Sequence, residues 1–272
     1  MAIKVAIAGI VGRMGRMLAT ECQAAEDFEV VGGVEYAESP YLNQSLEQSL
    51  GLIGHQGWVR EKLSELPSFD LLIDFTTPAA TLSHLDYCRQ NKVAAVIGTT
   101  GFSELEQQLI REAASEIAIV HAHNYSVGLT ILLDLVQQAS AHLGPEVDTE
   151  IVEWHHNQKV DAPSGTAYAL LDAVQSGWRQ NNGTTPSLVH GREGVTGSRP
   201  RAEVGLHALR GGDVVGEHHV LFAASGERIE LTHRASSRVN FAQGAMRAGR
   251  WLLLRQDRGL FDMRDVLDLK RP

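Results

Sequence analysis

The chain has 272 residues, 43% of them hydrophobic and 21% charged, a composition that fits a folded core in one or two domains and excludes disordered and collagen-like chains. Lys and Arg number 24 against 33 Asp and Glu, a net charge of −9, which argues against a broad phosphate-binding face and so against nucleic acid as a partner. Cys22 and Cys88 share no metal or disulfide spacing, and no apolar window reaches membrane-spanning length, so a cytoplasmic protein without metal or membrane attachment is expected.

In chain order, short apolar runs come first, at Val5–Ala8, Val30–Val34, Leu71–Phe75, Val93–Ile97 and Ile117–Val120. Helix-periodic stretches at Arg16–Ala24, Ala79–Gln90 and Glu104–Ala114 lie between most of them. Continuous apolar runs suit strands covered on both faces, which predicts a parallel sheet in a βαβ arrangement. After Asn124 the pattern changes. A long helix over Val127–Leu143 is followed by strands at Glu150–His155, Val204–Leu209, Val214–Phe222 and Arg228–His233, several alternating apolar with polar, which predicts an antiparallel sheet. Ser164–Val174 reads as a helix and Gln180–Arg201 as a long loop. Val239–Leu254 is helical again, with Phe241, Ala245, Ala248, Trp251 and Leu252 near one face, and is expected to return to the first domain.

The first strand runs into Gly9, Gly12, Arg13, Met14 and Gly15 before a helix. Glycines there permit a tight turn and close backbone approach to a pyrophosphate at the helix N-terminus. The spacing is GxxGxxG, which an ordinary βα turn also satisfies. Glu35, at the end of the second run and twenty residues beyond Gly15, strengthens the dinucleotide reading because an acid there accepts bonds from the ribose hydroxyls. Phe75-Thr76-Thr77-Pro78, Gly98-Thr99-Thr100-Gly101 and His121-Ala122-His123-Asn124-Tyr125 each follow an apolar run. They are therefore expected at the carboxyl ends of strands, where open α/β sheets bind ligands. Phe75, Gly98, Thr99 and Thr100 are candidates for lining the cofactor cleft, and Asn124 and Tyr125 for meeting its nicotinamide end. NADH and NADPH are not separated by these residues.

The segment Glu153-Trp154-His155-His156-Asn157-Gln158-Lys159-Val160-Asp161-Ala162-Pro163-Ser164-Gly165-Thr166-Ala167 is the most informative. A strand ends in two histidines, a lysine follows, and Pro-Ser-Gly-Thr opens a helix. Proton donors, a cation and an anion-binding helix end thus converge, a set suited to a small dicarboxylate.

GRMG after the first strand, VIGTTGF, NYSVG, HHNQKVDAPSGTA, GDVVGEH, THRASSR and FDMRDVLDL occur together in this order. On these motifs the whole chain resembles the dihydrodipicolinate reductase family. The resemblance implies an α/β fold with a Rossmann-like parallel-sheet domain over 1–125 and 239–272. An inserted α+β domain over 126–238 would bind substrate and build a homotetramer. It further implies reduction of 4-hydroxy-tetrahydrodipicolinate by NADH or NADPH on the diaminopimelate route to lysine. His155 falls on the family's proposed general acid and Lys159 on its catalytic lysine, while His156, Ser164, Gly165 and Thr166 fall on positions that hold the substrate carboxylates.

Val11 and Tyr36 depart from the family pattern, which often has a small residue at the first position and a basic one at the second. Tyr36 leaves recognition of a 2′-phosphate to Arg13 or to groups elsewhere. Two other readings compete: an aldehyde dehydrogenase, which needs a cysteine nucleophile beside a base, and a nucleotide-sensing protein, which assigns no role to the His-His-Lys cluster.

Overall fold

The computed structural model describes residues 2–181, 185–255 and 257–269. The chain forms two compact units, one of Met1–Val127 with Val239–Pro272 and one of Gly128–Arg238.

The first unit opens with β1 (Ile3–Ala8), whose Val5 to Ala8 are at most 1% exposed. α1 (Arg13–Ala24) follows and buries Leu18, Ala19 and Cys22, then comes β2 (Phe28–Val34). The short α2 (Leu46–Leu50) starts at a reciprocal cap between Ser45 and Gln48, and β3 (Trp58–Arg60) adds an edge. β4 (Leu71–Asp74) leads into α3 (Pro78–Asn91), whose proline suits the first helical position. β5 (Ala94–Ile97), α4 (Glu104–Ala114), capped by Ser103 and Glu106, and β6 (Ala118–His121) continue the alternation.

α5 (Val127–Leu143) leads into the second unit. There β7 (Asp148–His155), α6 (Gly165–Asn181), β8 (Ser187–Val189), β9 (Glu203–Arg210), β10 (Gly216–Ala224) and β11 (Glu227–Ala235) follow. The chain then completes the first unit with α7 (Val239–Leu253), β12 (Gly259–Phe261) and α8 (Met263–Val266).

The first unit's sheet has the order β12-β6-β5-β4-β1-β2-β3, and all its pairs are parallel. Leu18 and Cys22 of α1 and Ala242, Ala245, Ala248 and Leu252 of α7 pack in one core. Leu85 and Cys88 of α3 and Ile110 and Ala113 of α4 pack in another. The strand order reverses between β1 and β4, and at such a point the loops leaving the carboxyl ends part to leave a crevice.

The second unit's sheet, β11-β10-β7-β9-β8, is mixed. β10 pairs antiparallel with β7 and β11, whereas β7, β8 and β9 run parallel. The antiparallel expectation therefore holds for the β10 and β11 pairings only. The connection from β7 to β9 contains α6, and a crossover of that length allows the chain to return in the same direction. Ile151, Leu206, Val220 and Phe222 face Leu132, Val136, Leu170, Val174 and Trp178 of α5 and α6 in one core. The expected loop over 180–201 contains β8, and its residues 182–184 lie outside the described residues. No helix among the described residues is long and apolar enough to cross a membrane.

Candidate active site

In the first unit Gly9 has φ +65, a left-handed conformation that glycine adopts without strain, and its amide donates to the Val34 carbonyl at 2.9 Å. A Cβ on Gly15 would lie 2.1 Å from the Gly9 carbonyl oxygen, so only glycine lets α1 approach the end of β1 this closely. Gly12 caps α1 without a side-chain bond, and no acid sits in the first turn, so the helix end presents uncompensated amides. This cradle fits a pyrophosphate. The Val11 amide donates to Glu35 Oε1 at 2.8 Å, which joins the proposed ribose acid to the glycine turn. Arg16, not singled out from sequence, braces the turn from behind by donating to the Val11 carbonyl at 2.8 Å and to the Ser49 carbonyl at 3.0 Å. Arg13 is exposed, Met14 is half-buried against the core, and Tyr36 is 63% exposed.

At the ends of β4 and β5 the Phe75 ring lies over Gly98, where a Cβ would come within 2.0 Å of it. Thr100 is exposed. Thr99 and Tyr125 lie beneath this surface rather than on it. Thr99, 3% exposed, accepts from the Thr76 amide and the Thr81 hydroxyl, both at 2.9 Å. The Tyr125 hydroxyl is 2.9 Å from the Ile97 carbonyl and 3.0 Å from that of Val120, and burial pushes its ionisation well above the usual range. Its ring supports Phe75 at 5.5 Å. Asn124 Oδ1 accepts from the Ser126 amide at 2.8 Å. Sequence reasoning missed Asp74, fully buried at the end of β4, which accepts from the Thr76 amide and hydroxyl and lies 2.8 Å from His84 Nδ1. It fastens the β4 and β5 turns to each other.

In the second unit β7 ends at His155, with His156 just beyond it. His155 Nδ1 lies 2.6 Å from Oε2 of Glu153, a carboxylate that is fully buried. Arg210, from the end of β9, grips the same carboxylate with two donors at 2.8 and 2.9 Å, and the Ser164 amide donates to its Oε1 at 3.0 Å. Burial alone would raise the Glu153 pKa, but Arg210, His155 and the Ser164 amide outweigh it and hold the group below its usual value. Burial pulls His155 below the usual histidine range, Glu153 opposes that, and Lys159 and Arg210 add to it.

Lys159 is paired with Asp161 at 2.8 and 2.9 Å. Ser164 is buried, and its hydroxyl caps α6 by accepting from the Ala167 amide at 3.2 Å. Its side chain is thus spent on the helix. Gly165 is exposed, with open space where a Cβ would stand, and Thr166 follows it in the first turn, which carries no acid. The structure so brings together His155, Lys159, Gly165 and Thr166, with Ser164 as support and His156 half-buried beside them.

The Gly212–His218 stretch now has a physical role. The Gly212 carbonyl accepts from the Asn157 amide at 3.2 Å, and a Cβ on Gly216 would lie 3.0 Å from His155 Nε2. His218, 4% exposed, meets the His155 ring edge to face at 5.3 Å, and neither of its ring nitrogens has a hydrogen-bond partner among the described residues. Burial first, then the neighbouring His155, pulls its pKa down to about 3.

Glu153 was detectable from spacing, since residues two apart on a strand share a face. Arg210 had no local signal, because only the register of β9 against β7 sets it opposite His155. Burial pushes the Cys22 thiol up to about 12 and the Cys88 thiol higher still. Neither is placed to serve as a thiolate nucleophile, which removes the basis for the aldehyde dehydrogenase reading.

Residues 3–125 match the profile of the dihydrodipicolinate reductase N-terminus, and residues 128–267 match that of its C-terminus. The chain is 45% identical over 271 residues to 4-hydroxy-tetrahydrodipicolinate reductase of Nitrosomonas eutropha, which covers 98% of this chain and 99% of that one. The enzyme of the same name from Nitrosomonas europaea is also 45% identical, over 268 residues, with the same coverage. Among solved structures, dipicolinate-bound dihydrodipicolinate reductase from a Paenisporosarcina species superposes with a TM-score of 0.77 at 28% identity, covering 96% of this chain and 98% of that one. Scyllo-inositol dehydrogenase from Lactobacillus casei, at 12% identity and a TM-score of 0.59 over 98% of this chain and 93% of that one, shares the fold alone. The matching profiles and the full-length identity agree with the glycine cradle and the histidine-lysine cluster: the chain belongs to the dihydrodipicolinate reductase family, the NADH- or NADPH-dependent oxidoreductases that reduce 4-hydroxy-tetrahydrodipicolinate in lysine biosynthesis by the diaminopimelate route.

Proposed function

We propose that His155 is the general acid of this reduction and that Lys159 and the first turn of α6 hold the substrate's carboxylates. The observation that carries this reading is the convergence, within one unit, of a half-buried, carboxylate-paired histidine, a lysine and an open helix N-terminus. The 4-hydroxyl leaves with a proton of the adjacent carbon as water to give the conjugated ring, and NADH or NADPH, when bound, supplies the hydride, which goes to C4 of that ring. His155 delivers a proton from Nε2 to the adjacent carbon. The Gly165 and Thr166 amides, reinforced by the helix dipole, fix one carboxylate. Lys159 serves the other by exchanging Asp161 for the substrate, with His156 beside it. Holding both ends of a rigid ring sets the reacting carbons, so binding energy becomes orientation.

In the first unit Gly9, Gly12, Arg13, Met14 and Gly15 form the pyrophosphate turn and Glu35 accepts from the ribose. Phe75, Gly98, Thr100 and Asn124 form the nicotinamide side. Thr99 and Tyr125 position that surface from below. The dipicolinate in the Paenisporosarcina enzyme supports a pyridine- or piperidine-type dicarboxylate as ligand.

A homotetramer goes with the reading. On the face of β7 and β9 opposite Ile151 and Leu206, Trp154 and Leu209 are paired across the strands and are 40% and 47% exposed. Such a strip supports self-association through the sheet. A reducing cytoplasm suits the two free, buried cysteines.

Steady-state kinetics of His155→Gln test the assignment. Turnover is expected to fall by about 100-fold or more, in the range typical of losing a general acid, with the KM for the nicotinamide cofactor unchanged. Near-normal turnover would remove His155 from the acid role.

A further inference from the structure

Glu153 lies deeper than the residues that meet the substrate, yet four donors converge on its two oxygens. His155 Nδ1 and one Arg210 nitrogen stand at Oε2, at 2.6 and 2.8 Å. The Ser164 amide and the other Arg210 nitrogen stand at Oε1, at 3.0 and 2.9 Å. This fills about the four acceptor sites that a carboxylate has. The side chain is 0% exposed, so no solvent stands in for a missing donor.

We infer that Glu153, clamped by Arg210, is the positioning residue that fixes the tautomer and charge of His155 and ties its ring to the first turn of α6. The inference rests on the reading of His155 as the acid.

An ionised carboxylate only accepts, so the ring donates from Nδ1. The neutral ring is then bare at Nε2. To donate there, His155 must carry both protons, and Glu153 is the partner that stabilises that imidazolium. Its other oxygen reaches the Ser164 amide at the start of α6, so the acid and the proposed carboxylate-binding turn are referenced to one buried group. Arg210 balances the buried charge, and it also repels the imidazolium.

The groups around the ring come from every neighbouring element. Glu153 stands on its own strand, Arg210 on β9 and His218 on β10, and Lys159, paired with Asp161, lies in the loop that follows β7. His218 is neutral at working pH because burial holds its pKa near 3. Glu153 raises the His155 pKa, whereas Arg210 and Lys159 lower it. Changing the two partners of the clamp therefore moves the acid in opposite directions.

The test is the pH profile of kcat/KM for wild type, Glu153→Gln and Arg210→Met, with melting curves and the cofactor KM recorded alongside. Activity that requires an acid falls as pH rises through its pKa. In Glu153→Gln this alkaline limb is expected to move down by roughly one pH unit or more, with neutral-pH activity at least about tenfold lower and the cofactor KM unchanged. In Arg210→Met the limb is expected to move up. Glu153→Asp should restore part of the wild-type limb. Limbs that stay in place in the folded variants would overturn the inference, as would shifts of the same sign.

Should either substitution prevent folding, nitrogen NMR of imidazole-labelled wild type gives the answer directly, with the His155 signals identified by their loss in His155→Gln. A neutral ring protonated at Nδ1 supports the inference, and one protonated at Nε2 overturns it. Wild-type turnover in His155→Gln would instead refute the acid assignment beneath it, which separates that failure from failure of the Glu153 role.

Discussion

Tyr36 follows the acid proposed to hold the ribose and is 63% exposed. Arg13, in the first turn of α1, is exposed as well. A cation in place of the tyrosine would face a 2′-phosphate with no burial penalty. Tyr36→Lys is therefore expected to raise the ratio of kcat/KM for NADPH over NADH by about tenfold, the value of one good charge-assisted bond, and an unchanged ratio would place phosphate recognition elsewhere. His155, Lys159 and the glycine turn were legible in the sequence because their chemistry is local, with each motif lying within a few residues. Asp74 was not, and Glu153 was marked only by sharing a face of β7 with His155. Each ends or nearly ends an apolar or alternating run, and its partners Arg210 or Thr99 arrive from another strand. Thr99 and Tyr125 show what position along the chain leaves open. Their positions at strand ends were read correctly, but side chains there point either into the crevice or into the core, and both of these point inward.

The helices were the most legible elements. Glu104–Ala114 and Val127–Leu143 run as their periodicity predicts, the first because Ser103 and Glu106 make a reciprocal cap and the second because its apolar positions continue to Leu143. The short α2, β3, β8 and β12 were missed, since three to five residues carry too little periodicity to register. The β7 and β9 pairing was mistaken because alternation reports which face is buried and says nothing of direction. That same alternation leaves Trp154 and Leu209 outward on neighbouring strands. Placing a charge in this strip should break a four-chain assembly without touching the core. Trp154→Glu is expected to convert the sedimentation profile from a tetramer to smaller species while circular dichroism stays that of wild type. A monomeric wild type would contradict the homotetramer reading.

At the scale of the whole molecule, buried titrating groups couple stability to pH. His218 has its pKa pulled to about 3 by burial, against 6.5 for the free side chain. Between those values the unfolded chain binds a proton that the folded chain refuses, so stability falls as pH drops through this window, by at most about 1.4 kcal/mol per pH unit for this group. Glu150 acts in the same sense at lower pH. Burial would raise it, but Arg192, His207 and Arg199 hold it at about 2, so the stability it supplies above its unfolded value of 4.5 is lost as pH falls toward 2. Melting temperature is accordingly expected to decline from pH 6.5 downward, and less steeply in His218→Phe; an identical slope in that variant would remove His218 as the cause. The central claim, that this chain reduces 4-hydroxy-tetrahydrodipicolinate with a nicotinamide cofactor, is tested most directly by the absorbance of NADH and NADPH. Purified protein is mixed with substrate generated in place from aspartate semialdehyde and pyruvate by the preceding synthase. The account predicts oxidation that requires the complete mixture, and protein that binds either cofactor yet oxidises neither would contradict it.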